Sequence, residues 1–294
     1  MPETFMMLES PAIIPDSAFL ARRSRQNGGS TQFRKRERLY QGLRKHPLAD
    51  IPPGEVDQHF QAMPGRYWEQ VTKAELIWGL EVVHAFLQDD PGSGMRPKVL
   101  ADSRHYPERG FTKVMVCSHD QPGLLAKIAA AFSALRVNIL RADVYTRADG
   151  LALDLFEVND PNHGHVSNAD RIQHLMFLLE GALSEPPRFV SVWAGQFHKT
   201  QALVYDRAPS VQFDNDYSAE HTLVRIQTVD RLGLLHDLLQ ALADSGLNIA
   251  QAMVETDNDQ ACDVFYVTDL RGNKVIKSDA LEAIRRGILA AVGS

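Results

Sequence analysis

Apolar residues along this chain fall into one rhythm and then repeat it. Phe111 to Cys117 form a strand-like run, and Leu125, Ile128, Phe132 and Leu135 recur at helical steps, which predicts a strand followed by a half-buried helix. The stretches Asn138 to Thr146 and Leu151 to Asn159, hinged at Asp149-Gly150, read as a β-hairpin. A second helix is predicted from Asn168 to Leu183, stopped by Pro186-Pro187, with Arg188 to Trp193 as a last strand. Strand, helix, two strands, helix, strand is the split βαβ order of ferredoxin-like folds, so the predicted class is α+β.

The same order returns further along. His119-Asp120-Gln121-Pro122-Gly123-Leu124-Leu125 is answered 110 residues later by Val229-Asp230-Arg231-Leu232-Gly233-Leu234-Leu235. Val137-Asn138-Ile139 is answered by Leu247-Asn248-Ile249 in the same register, and after a one-residue gap Asp154-Leu155-Phe156 is answered by Asp263-Val264-Phe265. Internal duplication of this length means two copies of one structural unit. The second copy runs from His221 through a helix at 233–245, strands at 248–256 and 262–270, and a helix at 278–292. No residues follow for a last strand, so Ser210-Val211-Gln212-Phe213 is expected to supply it as a permuted element.

In the third strand of each repeat both faces are apolar. Leu153 and Leu155 alternate with Phe156 and Val158, as Val264 and Tyr266 do with Phe265 and Val267. A sheet with helices on one side only should show polar residues on the other. The second face is therefore expected to be covered, by the other repeat or by a partner subunit.

Before the repeats, Leu76, Leu80, Val83 and Leu87 mark a helix, opened by Thr72 and Glu75 at capping-box spacing and broken by Asp89-Asp90-Pro91-Gly92. The expected organisation is a mobile basic arm (1–52) with one short helix near Phe33 to Leu43, a helical segment and polar linker (53–105), repeat one (106–200) and repeat two (205–294).

Charge changes this picture in one place. Residues 22–45 carry nine Lys and Arg against Glu37, so an arm of +8 sits on a chain of net charge −6, leaving −14 for the remainder. Such an arm suits nucleic acid or an acidic membrane surface, or else a tail that docks on the acidic body. No RNP-type aromatic motif or Cys/His finger accompanies it, which favours docking and makes nucleic acid a poor partner. Cys117 and Cys262, at non-equivalent places of the two repeats, read as two reduced, buried thiols. With no membrane-length apolar run and no secretory pattern after Met1-Pro2-Glu3-Thr4, the expected location is the cytoplasm.

The Asp-x-Pro-Gly-Leu-Leu loop, the Asn-Ile opening of the next strand and the element order resemble the ACT domain, a module that binds small effectors, usually amino acids. Phe213-Asp214-Asn215, His221-Thr222, Asp230-Arg231, Gly233-Leu234-Leu235 and Asp263 to Asp269 resemble the C-terminal tandem ACT region of the bacterial bifunctional uridylyltransferase/uridylyl-removing enzyme, a glutamine sensor. The resemblance runs from about residue 60 to the end and is specific over the repeats. It implies an amino acid ligand, glutamine first, and a homo-oligomer or a regulated enzyme as partner.

The residues support binding on their own terms. Gly123 or Gly233 lets the backbone approach a ligand, and the helix that follows, opening at Leu124 or Leu234, directs free N–H groups and partial positive charge at a carboxylate. Asp120 or Asp230 could receive an α-ammonium group, or could simply cap the helix. Asn138-Ile139 and Asn248-Ile249 open the adjacent strand, where asparagine offers both donor and acceptor. Asp154 and Asp263 need partners, from a ligand or from the fold. Leu232 in place of Pro122, and Arg136-Val137 where a glycine would ease the turn, distinguish the two candidate sites.

Catalysis is not expected. Gly29-Ser30 leads into Arg34-Lys35-Arg36 with no Asp-x-Asp to hold metal between phosphates, and Asp214-Asn215-Asp216 and Asp257-Asn258-Asp259 lack the glycine loop. His119-Asp120 and His236-Asp237 occupy non-equivalent places, and His163-Gly164-His165 lacks a third ligand, so no metal and no cofactor is expected. The leading expectation is a non-catalytic amino acid sensor. Its rivals are a ligand-free dimerisation scaffold and a regulatory fragment of a uridylyltransferase system.

Overall fold

The computed structural model describes residues 28–88, 99–121, 123–160, 169–183, 208–231, 233–257 and 260–293. Four helices come first: α1 (Gly28–Lys45), α2 (Pro53–Ala62), α3 (Gly65–Gln70) and α4 (Lys73–Gln88). Repeat one follows as β1 (Val99–Tyr106), β2 (Phe111–His119), α5 (Leu124–Ala134), β3 (Asn138–Asp143), β4 (Leu151–Asn159) and α6 (Ala169–Leu183). Repeat two comprises β5 (Ser210–Asp214), β6 (Thr222–Val229), α7 (Leu234–Asp244), β7 (Leu247–Met253), β8 (Thr256–Asp257), β9 (Gln260–Asp269) and α8 (Ser278–Val292). Among these residues no helix is long and apolar enough to cross a membrane.

All strands join one antiparallel sheet in the order β1-β2-β4-β3-β7-β9-β6-β5, with β8 paired to β9. The order is a palindrome of two four-stranded units, each a ferredoxin-like sheet. Both units receive their outer strand from the N-terminal side: β1 lies against β2, and β5 against β6. The stretch 99–105, read as linker, is therefore mostly strand. Its Asp102, Ser103, Arg104 and His105 gave no apolar alternation because an edge strand can be polar, and two of them are held by Trp78 of α4. The indole Nε1 donates to Asp102 Oδ2 at 2.6 Å, and the Arg104 guanidinium lies 4.6 Å from the Trp78 ring centroid. The last strand expected at Arg188 to Trp193 lies outside the described residues.

Helices α5, α6, α7 and α8 cover one face of the sheet and enclose a single core that includes Ile128, Phe132, Phe156, Leu179, Leu238, Phe265 and Ile288. The opposite face of repeat one is covered by α2–α4, not by the other repeat or a partner. There Trp68, Trp78, Leu80 and Phe86 pack on Met115, Cys117, Leu151 and Leu153. The two repeats instead meet edge to edge, through β3 against β7. In repeat two the equivalent face is half-open: Cys262, Val264 and Tyr266 are only partly buried, so Cys262 is not the buried thiol expected.

Within the basic arm, Gly28 to Lys45 form a helix docked on the helical layer, longer than the short helix expected at 33–43, and residues 1–27 lie outside the described ones. Arg36 donates to the Phe60 carbonyl at 2.6 Å and stacks over Trp68, Lys35 donates to the Glu69 carbonyl, and Tyr40 Oη donates to Asp57. These partners lie on α2 and α3, so Arg36 and Lys35 serve as donors that pin α1 to the helical layer.

Candidate functional site

Each repeat opens its first helix through a glycine in the left-handed region, Gly123 (φ 70°) and Gly233 (φ 83°). A residue with a Cβ is strained there by roughly 1–2 kcal/mol, which explains glycine at the same place twice. The N-cap position of each helix is the glycine itself, so no N-cap side chain closes the helix start. Asp120 is held from elsewhere: its N–H donates to the Gly150 carbonyl at 2.9 Å, and Thr146 Oγ1 donates to its Oδ2 at 3.1 Å.

The two loops differ in what closes them. In repeat one, Lys127 Nζ donates to Gln121 Oε1 at 3.0 Å, leaving a neutral acceptor next to the loop. In repeat two, Arg231 forms an ion pair of 2.6 Å with Asp237 and donates to the Ala291 carbonyl, tying the loop to both α7 and α8. Burial acts to raise the Asp237 carboxyl, but His236 and Arg231 outweigh it and hold the group below its ordinary range. His236-Asp237 is thereby used in holding the loop, and His119 packs edge-on against Phe86. The His163/His165 pair lies outside the described residues.

Beneath each loop sits a buried carboxylate. Asp154 Oδ1 accepts the Tyr145 N–H at 3.2 Å, and Oδ2 has no partner. Asp263 repeats the arrangement, with a backbone hydrogen bond from Glu255, 110 residues on from Tyr145, and an unpartnered Oδ1. Burial pushes both carboxyls up to about 7; Asp120 adds to the rise at Asp154, and Asp230 at Asp263. The fold supplies one hydrogen bond to each, and one oxygen of each stays unmatched.

The asparagines stand elsewhere than simple repeat arithmetic suggests. Within one repeat Asn138 pairs with Asn159, whereas the loop end of the sheet is where His119 pairs with Leu151; these are opposite ends. Across the seam the geometry changes. β3 and β7 run antiparallel with Arg141 opposite Met253 and Asp143 opposite Gln251, and the Val144 N–H donates to the Ala250 carbonyl. Among the described residues this pairing runs from Leu140 and Val254 to Val144 and Ala250, where Arg66 takes both carbonyls; Thr146, which holds Asp120, bridges Ala152 of its own repeat. Gln240 of α7 also borders the first loop, with its Oε1 3.8 Å from where a Cβ on Gly123 would stand. Leu124, Leu234 and Ile139 are core residues and Ile249 packs on the core, while the Leu124 and Leu234 N–H groups donate to the Gln121 and Arg231 carbonyls. Asn138 and Asn248 are exposed.

Sequence reasoning missed the residues that fasten the seam. Arg66 of α3 donates to the Val144 carbonyl in one repeat and to the Ala250 carbonyl in the other, while lying 4.8 Å from the Tyr145 ring centroid. Gln70 spans the same junction: its Nε2 donates to Gln251 Oε1, and its Oε1 accepts from Tyr145 Oη and Arg141. No local pattern announces a contact between residues more than 180 positions apart.

The fold and the duplicated loop define a tandem ACT protein. The model of the ACT domain matches residues 112–168, and that of the ACR family N-terminal ACT domain matches residues 217–292. The chain therefore carries two ACT domains, and it is homologous to the C-terminal region of bacterial bifunctional uridylyltransferase/uridylyl-removing enzymes. The enzyme of Azospirillum brasilense is 30% identical over 261 residues, covering 88% of this chain and 27% of its own length. That of Gluconobacter oxydans is 35% identical over 249 residues (83% and 25%), and that of Caulobacter vibrioides 35% over 233 (79% and 24%). The chain thus spans about a quarter of the length of these relatives.

Proposed function

We propose that this chain is a non-catalytic regulatory protein whose ACT repeats bind a small amino acid, glutamine being the first candidate, in two composite sites at the seam. The observation that supports this reading is the antiparallel β3–β7 pairing, which joins the repeats through the two strands that open at Asn138 and Asn248. One site would join Asp120, Gly123 and Leu124 to Asn248 and Ile249; its twin would join Asp230, Gly233 and Leu234 to Asn138 and Ile139. The ligand carboxylate meets the helix start, where the helix dipole favours negative charge. The ammonium group meets the loop aspartate, and the asparagine reads the remaining polar atoms.

An occupant that touches both repeats favours the arrangement in which the seam is closed, which is the differential affinity that transmission of occupancy requires. The homology points the regulation toward nitrogen metabolism, in the cytoplasm, with a second copy of this chain or a regulated enzyme as partner. A thermal-shift screen against the twenty amino acids tests the reading. A ligand at about 100 times its dissociation constant adds roughly 2.7 kcal/mol to stability. One clear responder, lost on Gly123→Val with Gly233→Val, supports a sensor; silence from all twenty sinks it and leaves a scaffold.

A further inference from the structure

A second chamber lies on the other side of the sheet, away from the glycine loops. It measures about 230 Å³ and sits between α3–α4 and the face of β2, β3 and β4 that those helices cover. That is smaller than the roughly 300–1,000 Å³ of sites for drug-sized ligands, so its occupant is a small metabolite. Its floor is apolar, with Met115, Leu153 and Leu155, and its walls carry charge.

The walls alternate in sign. Lys113 Nζ stands 2.7 Å from Glu75 Oε1 and 3.1 Å from Glu157 Oε1, which occupies two of its three protons. Arg141 holds Asp143 through Nε (2.9 Å) and Nη2 (3.0 Å), and among the described residues its Nη1 has no acceptor. Three carboxylates against two cations leave the chamber one negative charge, which disfavours a simple anion. An ammonium group is matched by Glu157 and Asp143, a carboxylate by the Nη1 edge of Arg141, and a short uncharged side chain by the Met-Leu floor.

We propose that this chamber is a binding site for a zwitterion, an α-amino acid with a short uncharged side chain, separate from the glycine loops. Gln70 forms part of its wall and also bonds Gln251 across the seam, so an occupant would bear on the repeat junction from the helical side.

Isothermal titration of the whole chain with L-leucine, L-methionine and L-glutamine tests the assignment. At least one is expected to bind, and its methyl ester and its decarboxylated amine, each lacking the carboxylate charge, are expected to bind at least tenfold more weakly. Leu155→Trp, which fills the chamber, should abolish this binding, while Gly123→Val with Gly233→Val should leave it intact. Glu157→Gln, at a partly exposed wall position, should weaken it at least tenfold and serves if Leu155→Trp does not fold. Absence of binding, equal affinity for ester and acid, or loss of binding through the loop substitutions alone overturns the proposal. The last outcome would leave the loop reading standing, whereas binding lost only in the chamber variants would leave the loops without a ligand.

Discussion

The two ACT repeats share a sheet, a helix layer and a core, yet they are finished differently. Among the described residues, repeat one is a three-layer unit, with helices on both faces of its strands, whereas repeat two has helices on one face and its second face is half-open. The sequence made both third strands look alike, Leu153 and Leu155 in one and Val264 and Tyr266 in the other. The difference teaches that a two-faced apolar strand specifies that something covers it, without specifying what.

The largest expected effect breaks this comparison at the helical layer. Phe86 is 1% exposed and Phe→Ala in a core costs about 3–5 kcal/mol. Phe86→Ala should lower the denaturation midpoint, and hydrogen exchange should show amide protection falling in β2 and β4 more than in β6 and β9. An equal fall in both repeats would show that the layer stabilises the sheet as one body.

The next effect should be the same in both repeats. Asp154 and Asp263, at about 7, bind protons in the folded chain at pH values where the unfolded chain, with an ordinary carboxyl, has released them. Stability contributed by the protonated groups is therefore present at about pH 4 and lost as pH rises toward 7. Asp154→Asn and Asp263→Asn remove that loss, so the stability of each variant relative to the parent should climb between those pH values, by up to about 4 kcal/mol. Chemical denaturation at a series of pH values reads it directly. His59 titrates in the opposite sense: burial takes it down to about 3, so its share of stability is lost as pH falls from about 6.5, and differences taken at fixed pH cancel it.

The seam gives a smaller effect. Arg66→Met removes two charge-assisted hydrogen bonds to backbone carbonyls of different repeats and should cost about 2 kcal/mol, with exchange rising at Val144 and Val254. Normal protection there would show that the β3–β7 pairing stands without its clamp.

The smallest test compares one turn in its two copies. Arg136 has φ 53° where repeat two, 110 residues on, has Gly246 at φ 72°. Arg136→Gly should stabilise by about 1 kcal/mol, because strain in the left-handed region exceeds the entropic penalty of glycine. A loss of stability would assign the Arg136 side chain a role of its own.

Much of this was legible in the sequence, and the reason is local chemistry. The capping box shows as Thr72 Oγ1 accepting the Glu75 N–H at 3.2 Å while Glu75 Oε2 accepts the Thr72 N–H at 2.9 Å. The strained turn at Arg136 and the left-handed glycines of the loops were likewise visible from residue type and spacing. What escaped was non-local. β1 hid because its polar residues find partners on α4, the helical layer because nothing in an amphipathic helix names the face it covers, and the β3–β7 seam because pairing between repeats is set by packing. The duplicated loop was legible; the edge on which the two repeats meet was not.

The seam has a consequence for how this molecule can change over generations. A symmetric pair of identical chains must alter both of its ligand sites whenever one codon changes. Here the twofold relation is written into a single polypeptide, so Pro122 and Leu232, Gln121 and Arg231, or Arg136 and Gly246 can drift apart one at a time. Each junction still draws on both halves, so neither half is free to decay alone. Carrying both repeats on one chain lets their two loops diverge while the β3–β7 seam keeps them mechanically joined.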